Sequence, residues 1–286
     1  MLKVVIHSLV PGMIYSLLAM GFALVYNTTK VFHIAAAAVY VFAANVFYWL
    51  SQTTALQLSL PLAALIAILS SMALSLAMEW LVYRPLHRRG ASNNVSLVAS
   101  IGMMTVIVNL MVLFFDLGSK LFVRPSENGA LITTPQLLEL VVGGLVAVAF
   151  LLLVQKTRWG IGLRALSDDP RLFETLGYKV SRTRTMVFLI SGALLAVASC
   201  LSAYDIGVEP GNGFKMLTYA MVAMIVGGTG RYWTCLLGGI TLGFLQGVMG
   251  STKLSAGWNE GVIFLLLLLF LFLRPQGLAG HKQRTV

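Results

Sequence analysis

KTRWGIGLRALSDDPRLFETLGYKVSRTR, residues 156–184, is the polar stretch whose reading organises the whole chain. It carries seven basic residues together with Asp168, Asp169 and Glu174, too much charge to enter a bilayer. Apolar runs flank it, 137–155 before and 185–204 after. About 20 apolar residues cross hydrocarbon as a helix, because backbone N–H and C=O groups find no water there and must bond within the segment.

Working outward, the same criterion predicts spans at 4–26, 31–50, 56–82, 94–115, 137–155, 185–204, 216–229, 233–250 and 258–273. The expected fold is therefore an all-α, polytopic integral membrane protein of about eight to ten transmembrane helices, nine by count. Residues 1–286 form a single transmembrane domain, with 156–184 as a cytoplasmic loop inside it. The first run stays apolar through Tyr26, too long for a signal-peptide core, and reads as a retained span. The run at 216–229 is short of a full crossing and reads as half of a broken helix. A weak likeness between Met13–Phe32 and Met216–Trp233 predicts an internal repeat with broken helices, as transporters often carry.

Composition agrees: 58% hydrophobic residues against 10% charged, with a mean hydropathy of +0.87, exclude an ordinary soluble domain. The net charge of +10 would suggest nucleic acid in a soluble protein. Here it follows the positive-inside rule. With 156–184 in the cytoplasm, fifteen of the twenty basic residues fall inside, leaving Lys3, Lys120, Arg124, Lys215 and Lys253 outside. This predicts an outer N-terminus and a cytoplasmic C-terminus.

Chemistry-bearing patterns are sparse. Gly250–Lys253 has the letters of a phosphate-binding loop in the wrong order. His7, His33, His87 and His281 share no metal-ligand spacing, and Cys200 and Cys235 lie in apolar runs as packing residues. The reading is thus not an enzyme, with no metal and no cofactor held by this chain.

Three groups of residues stand out. After Asp168 and Asp169, the residues Leu172, Phe173, Leu176 and Tyr178 recur at helical spacing, with Ser167 or Asp168 as the expected cap, Pro170 in the first turn and Gly177 as the stop. His33, Tyr40, Asn45 and Asn109 lie inside apolar runs, where a polar group faces a passage or another helix. Gly227, Gly228, Gly239, Gly243 and Gly247 include a repeat of every fourth residue, the pattern that lets helices pack backbone to backbone in lipid. Glu79, near Arg84 to Arg89, reads as a structural ion partner.

Four stretches, in order, resemble the permeases of the branched-chain amino acid ABC transporter family: YRPLHRRG at 83–90 leading to LVASIGM at 97–103; GIGLRA at 160–165 with the paired aspartates and Leu176-Gly177 that follow; VGGTG at 226–230 with LGG at 237–239; and LRPQGLAG at 273–280. The resemblance implies that 160–178 is the segment gripped by a separate ATPase, making Arg164, Asp168, Asp169, Leu172, Phe173, Leu176 and Gly177 its docking and positioning residues. It also implies two ATPase subunits holding the ATP and magnesium, a second permease subunit, and a periplasmic substrate-binding protein that delivers cargo to the outer face near 208–214. One departure stands against it. Where the family carries an Asn-Phe-Ala-His-Gly-acidic run in the second span, this chain has HIAAAA at 33–38, so cargo is not copied from the resemblance alone. Branched-chain or other apolar amino acids are the expected cargo. Urea, short amides or nucleosides on the same architecture are the alternative, and an ion-coupled carrier or channel is the alternative of a different class.

Overall fold

Helix follows helix through the computed structural model, which describes residues 2–53, 58–115, 118–122, 132–209, 211–228 and 230–250, with Gly261, Leu265, Phe270 and Phe272. The elements are α1 (Leu2–Thr29), α2 (Ala36–Tyr48), α3 (Leu60–Met78), α4 (Arg84–Arg88), α5 (Asn93–Phe115), α6 (Thr134–Lys156), α7 (Arg158–Asp168), α8 (Pro170–Thr175), α9 (Val180–Ile206), α10 (Asn212–Gly227) and α11 (Tyr232–Gly250). Two π-helical turns, Trp49–Thr53 and Glu79–Tyr83, extend α2 and join α3 to α4. Among the described residues the sole extended pairing is an isolated antiparallel bridge between Lys120 and Val208.

The chain's first helix is also its centre. A helix apolar on every side is buried on every side, and Leu17, Leu18, Met20, Phe22 and Leu24 of α1 are fully covered. Around it pack α11, α9, α10 and α6, with α2 and α3 against α9 and α5 against α2. On α3, α5 and α6 long apolar side chains point outward, among them Leu65, Leu69, Val98, Leu113, Leu145 and Val148. That is the surface of a protein whose solvent is lipid.

No hydrophobic force draws helices together in lipid, so close backbone approach must do it. Gly239, Gly243 and Gly247 of α11 lie against Ser16, Gly12 and Ser8 of α1, two small-residue ladders running antiparallel. A Cβ on any of the three glycines would overlap α1, and Ser16 Oγ fastens the seam by bonding the Leu236 carbonyl at 3.0 Å. The α1 ladder was not singled out in the sequence because its serines disguise the spacing.

Six helices among the described residues are long and apolar enough to cross a membrane: His7–Thr29, Leu60–Arg88, Asn93–Phe115, Thr134–Lys156, Val180–Ile206 and Tyr232–Met249. Two expected spans are shorter than drawn. The one placed at 31–50 starts only at Ala36, because Lys30 takes a left-handed φ of 55° that stops α1, and Val31 to Ala35 run as a short non-helical link. The one placed at 216–229 is α10, 16 residues long, or about 24 Å at the α-helical rise. It stops where Gly228 takes a φ of 104°. So each segment compared for a repeat ends in a left-handed stop. The expected span at 258–273 and the motif at 273–280 lie almost wholly outside the described residues.

Candidate functional site

The bundle has two differently built ends. At one end stand the C-terminus of α1, the turn into α4, helices α7 and α8, and the start of α9. The polar stretch is not one loop with one helix, as its turn signal suggested, but two consecutive helices. Thr157 caps α7 by accepting from the Gly160 N–H at 3.2 Å. Gly160, Leu163 and Leu166 supply its buried face. The cap of α8 is Asp169, not Ser167 or Asp168: its Oδ1 accepts from the Leu172 N–H at 3.1 Å. Ser167 instead ties α7 to the bundle, its Oγ donating to the Asn27 carbonyl at 2.9 Å. Gly177 follows α8 with a φ of 83°, a turn that suits glycine.

This end separates the apolar residues of the segment into two sets. Phe173 turns inward, buried with Leu166 and Val180 and stacked on Tyr178 with ring centroids 4.9 Å apart. Leu172 and Leu176 stay exposed at 57% and 64%, beside Ile161 and Tyr178. Arg164, Asp168 and Asp169 are exposed as well. The Lys30 ammonium, partly withdrawn from water although the side chain is exposed, is pushed below the ordinary lysine range by desolvation, and the nearby Asp168 charge opposes that shift.

Behind α8 lies a cluster of charge. Glu174 lies within electrostatic reach of Arg184 and His87, and Arg184 in turn of Glu79, where Arg84 and Arg88 also contribute. Glu79 is 3% exposed, and it opens the π-helical turn that ends at Tyr83.

Tyr83 leads to His33. The Tyr83 hydroxyl donates to Ser100 Oγ at 2.8 Å, so the His33 Nδ1, 2.8 Å away, is the donor to Tyr83. Ser100 Oγ also accepts from the Ala35 N–H at 2.9 Å. His33 is 1% exposed and packs edge-on against Phe188. The other polar residues expected along a passage lie apart from it. Tyr40 is buried, its carbonyl bonded by Ser199 Oγ at 2.6 Å and its hydroxyl by Ser202. Asn45 is buried and donates to the Val41 carbonyl at 2.9 Å. Asn109 lies on the exposed face of α5 and donates to the Thr105 carbonyl at 2.7 Å. The structure thus brings none of the four together.

At the opposite end, α1, α6, α9, α10 and α11, with the segments 119–121 and 207–209, line an open cavity of about 550 Å³. Its wall includes Tyr15 and Tyr219, whose ring centroids are 4.9 Å apart, with Tyr15 donating to Gln246. Glu139 of α6 and Asp205 of α9 face each other there closely enough for their charges to interact. Sequence reasoning missed this pair. The signal was present, since Glu139 is the one carboxylate within the 137–155 run, and an ionisable residue inside a span is a functional pointer by default.

A multi-pass helical bundle with a chamber at one end and an ordered helical segment projecting at the other is the build of a membrane permease. Over residues 4–272 the chain matches the family described as the permease component of the branched-chain amino acid transport system, and it belongs to that family. It is 30% identical to the high-affinity branched-chain amino acid permease BraD of Pseudomonas aeruginosa over 99% of this chain and 96% of that one. It is 28% identical to the corresponding LivH of Escherichia coli over 95% and 93% of the two chains. The autoinducer 2 import permease LsrC of Klebsiella pneumoniae is 28% identical over 66% of this chain and 58% of its own.

Proposed function

We propose that this chain is a permease subunit of a binding-protein-dependent ABC importer for branched-chain or other hydrophobic amino acids, in a bacterial inner membrane. It forms the route and carries no ATP site; ATP and magnesium belong to separate ATPase subunits. A second permease subunit and a periplasmic binding protein complete the assembly. The end bearing α7 and α8 is cytoplasmic, the cavity opens outward, the N-terminus is outside and the C-terminus inside, in keeping with the distribution of lysine and arginine.

The observation that carries this reading is the build of α7 and α8. They are fastened to the bundle by Ser167 and by the Leu166, Phe173 and Val180 cluster, yet they hold Ile161, Leu172, Leu176 and Tyr178 outward. Ordered apolar residues exposed on a polar segment mark a surface that a protein partner covers. An ATPase gripping that surface moves the bundle only if ATP binds its closed form better than its open form. Displacement of α8 is carried inward through Glu174, Arg184 and Glu79 to the π-helical turn and on to His33.

Leu172→Ala with Leu176→Ala tests this. Neither side chain contributes to the core, so the double variant is expected to insert and fold normally while losing ATPase subunits on purification and at least 10-fold in ATP-dependent leucine uptake. Normal retention of the ATPase and normal uptake would refute the docking assignment.

A second reading keeps the architecture and changes the cargo, and the likeness to an autoinducer 2 import permease supports it. Uptake of labelled leucine and of labelled urea by the reconstituted assembly separates the two. Urea without leucine would retire the amino-acid cargo.

A further inference from the structure

We propose that the cavity between α1, α6, α9, α10 and α11 is a subsite for a primary ammonium group, held between the carboxylates of Glu139 and Asp205. The inference rests on the amino-acid cargo of the proposed function and names the part of the cargo that this chamber reads.

Glu139 carries the argument. It is 3% exposed, lines the cavity and has Asp205 as its charged neighbour. Among the described residues no hydrogen-bond donor reaches its carboxylate. The two tyrosine hydroxyls near enough to interact with it are engaged elsewhere, Tyr15 with Gln246 and Tyr40 with Ser202. A buried carboxylate without donors is costly, and a second carboxylate beside it adds repulsion. A cation that brings its own N–H donors removes both costs when it enters.

The cavity suits an organic ammonium better than a bare metal ion. The described residues contain no group of three or more His, Cys, Asp and Glu side chains that could hold a metal. An ammonium group offers three donors to two carboxylates without demanding a fixed coordination number. The Tyr15 and Tyr219 rings stand on the same wall, and aromatic rings also attract a cation. Val10, Ile14 and Met216 add apolar lining for a hydrocarbon chain, in a volume within the usual range for small-molecule sites. Lys120, Lys215 and His7 stand on the wall too. Lys120 is spoken for, donating to the Phe115 carbonyl and lying over the Tyr48 ring.

The test has two arms on the purified full-length permease with the subunits that co-purify with it. In the first, thermal unfolding is followed against millimolar 3-methylbutylammonium chloride, sodium chloride at equal ionic strength and the neutral 3-methylbutanol. A ligand that binds only the folded state raises its unfolding temperature. The expected result is a rise of the midpoint with the ammonium alone, absent in Glu139→Gln and reduced in Asp205→Asn. No rise, an equal rise with sodium, or a rise that persists in Glu139→Gln overturns the proposal.

In the second arm, proteoliposomes take up labelled leucine from the loaded binding protein. Glu139→Gln is expected to lose at least 10-fold in uptake while its own unfolding midpoint stays level or rises, since the amide keeps the shape of the side chain and removes a buried acidic group beside Asp205. A purely structural glutamate would instead lose both together. Wild-type protein stabilised by the ammonium yet inactive with leucine would sink the amino-acid cargo and leave the subsite standing. Leucine uptake unchanged in Glu139→Gln would sink the subsite and leave the cargo standing.

Discussion

One phenolic oxygen, that of Tyr83, joins three parts of the molecule. It accepts from His33 in the link between α1 and α2 and donates to Ser100 of α5, while Tyr83 itself closes the π-helical turn after α3. Tyr83→Phe keeps the ring against Phe188 but strands the buried His33 donor without its partner. A buried group that loses its partner costs about 1–3 kcal/mol, so the variant is expected to unfold earlier by that amount. Thermal or denaturant unfolding of the purified variant measures it, and a change below about 0.5 kcal/mol would mean that the network carries no weight. His33 was legible in the sequence as a polar residue in an apolar run. Its partner was not, because Tyr83 sits 50 positions away in a stretch whose arginines draw the eye. Glu139 went unnoticed for the opposite reason: one carboxylate in a strongly apolar run barely alters its hydropathy.

Among the elements, the seam between α1 and α11 shows what glycine does in lipid. Gly243 and Gly102 both lie within apolar helices, but an added methyl at Gly243 meets the backbone of Gly12, whereas at Gly102 it meets nothing within 4 Å. Alanine is favoured over glycine inside a helix by about 1 kcal/mol. Gly102→Ala is therefore expected to hold or raise the unfolding temperature. Gly243→Ala should lower it, since forcing volume into a packed contact costs about 1–3 kcal/mol. Equal responses at the two positions would show that the seam is looser than drawn. The ladder on α11 could be read directly from its every-fourth-residue spacing. Helix α7 could not, because Gly160 and Gly162 argue against a helix when the buried partner surface is unknown. Similarly, Val31, Phe32, Ile34 and Ala35 continue the apolar pattern across the link where the backbone has left α1 and not yet entered α2.

At the scale of the molecule, the span pattern was the most legible feature, because the thickness of hydrocarbon imposes a length that periodicity cannot disguise. The two short helices escaped it: α2 and α10 are covered by other helices and need not satisfy the full crossing alone. Orientation can be tested on the intact protein. The native thiols Cys200 and Cys235 are both buried, so Leu176→Cys supplies one exposed thiol on a quiet background. In sealed spheroplasts a membrane-impermeant maleimide is expected to leave it unlabelled, and in inverted vesicles to label it. The reverse pattern would turn the whole bundle over.

The seam also sets a timetable for biogenesis. Gly12 leaves the ribosome 227 residues ahead of Gly239, and at about 5–20 residues per second that is a delay of roughly 10–45 seconds. Throughout it, the nascent first helix sits in the membrane with Ser8 and Ser16 unmatched by the partner that will cover them. The insertion machinery must shelter a helix that becomes the centre of the protein until nearly all the rest has been made.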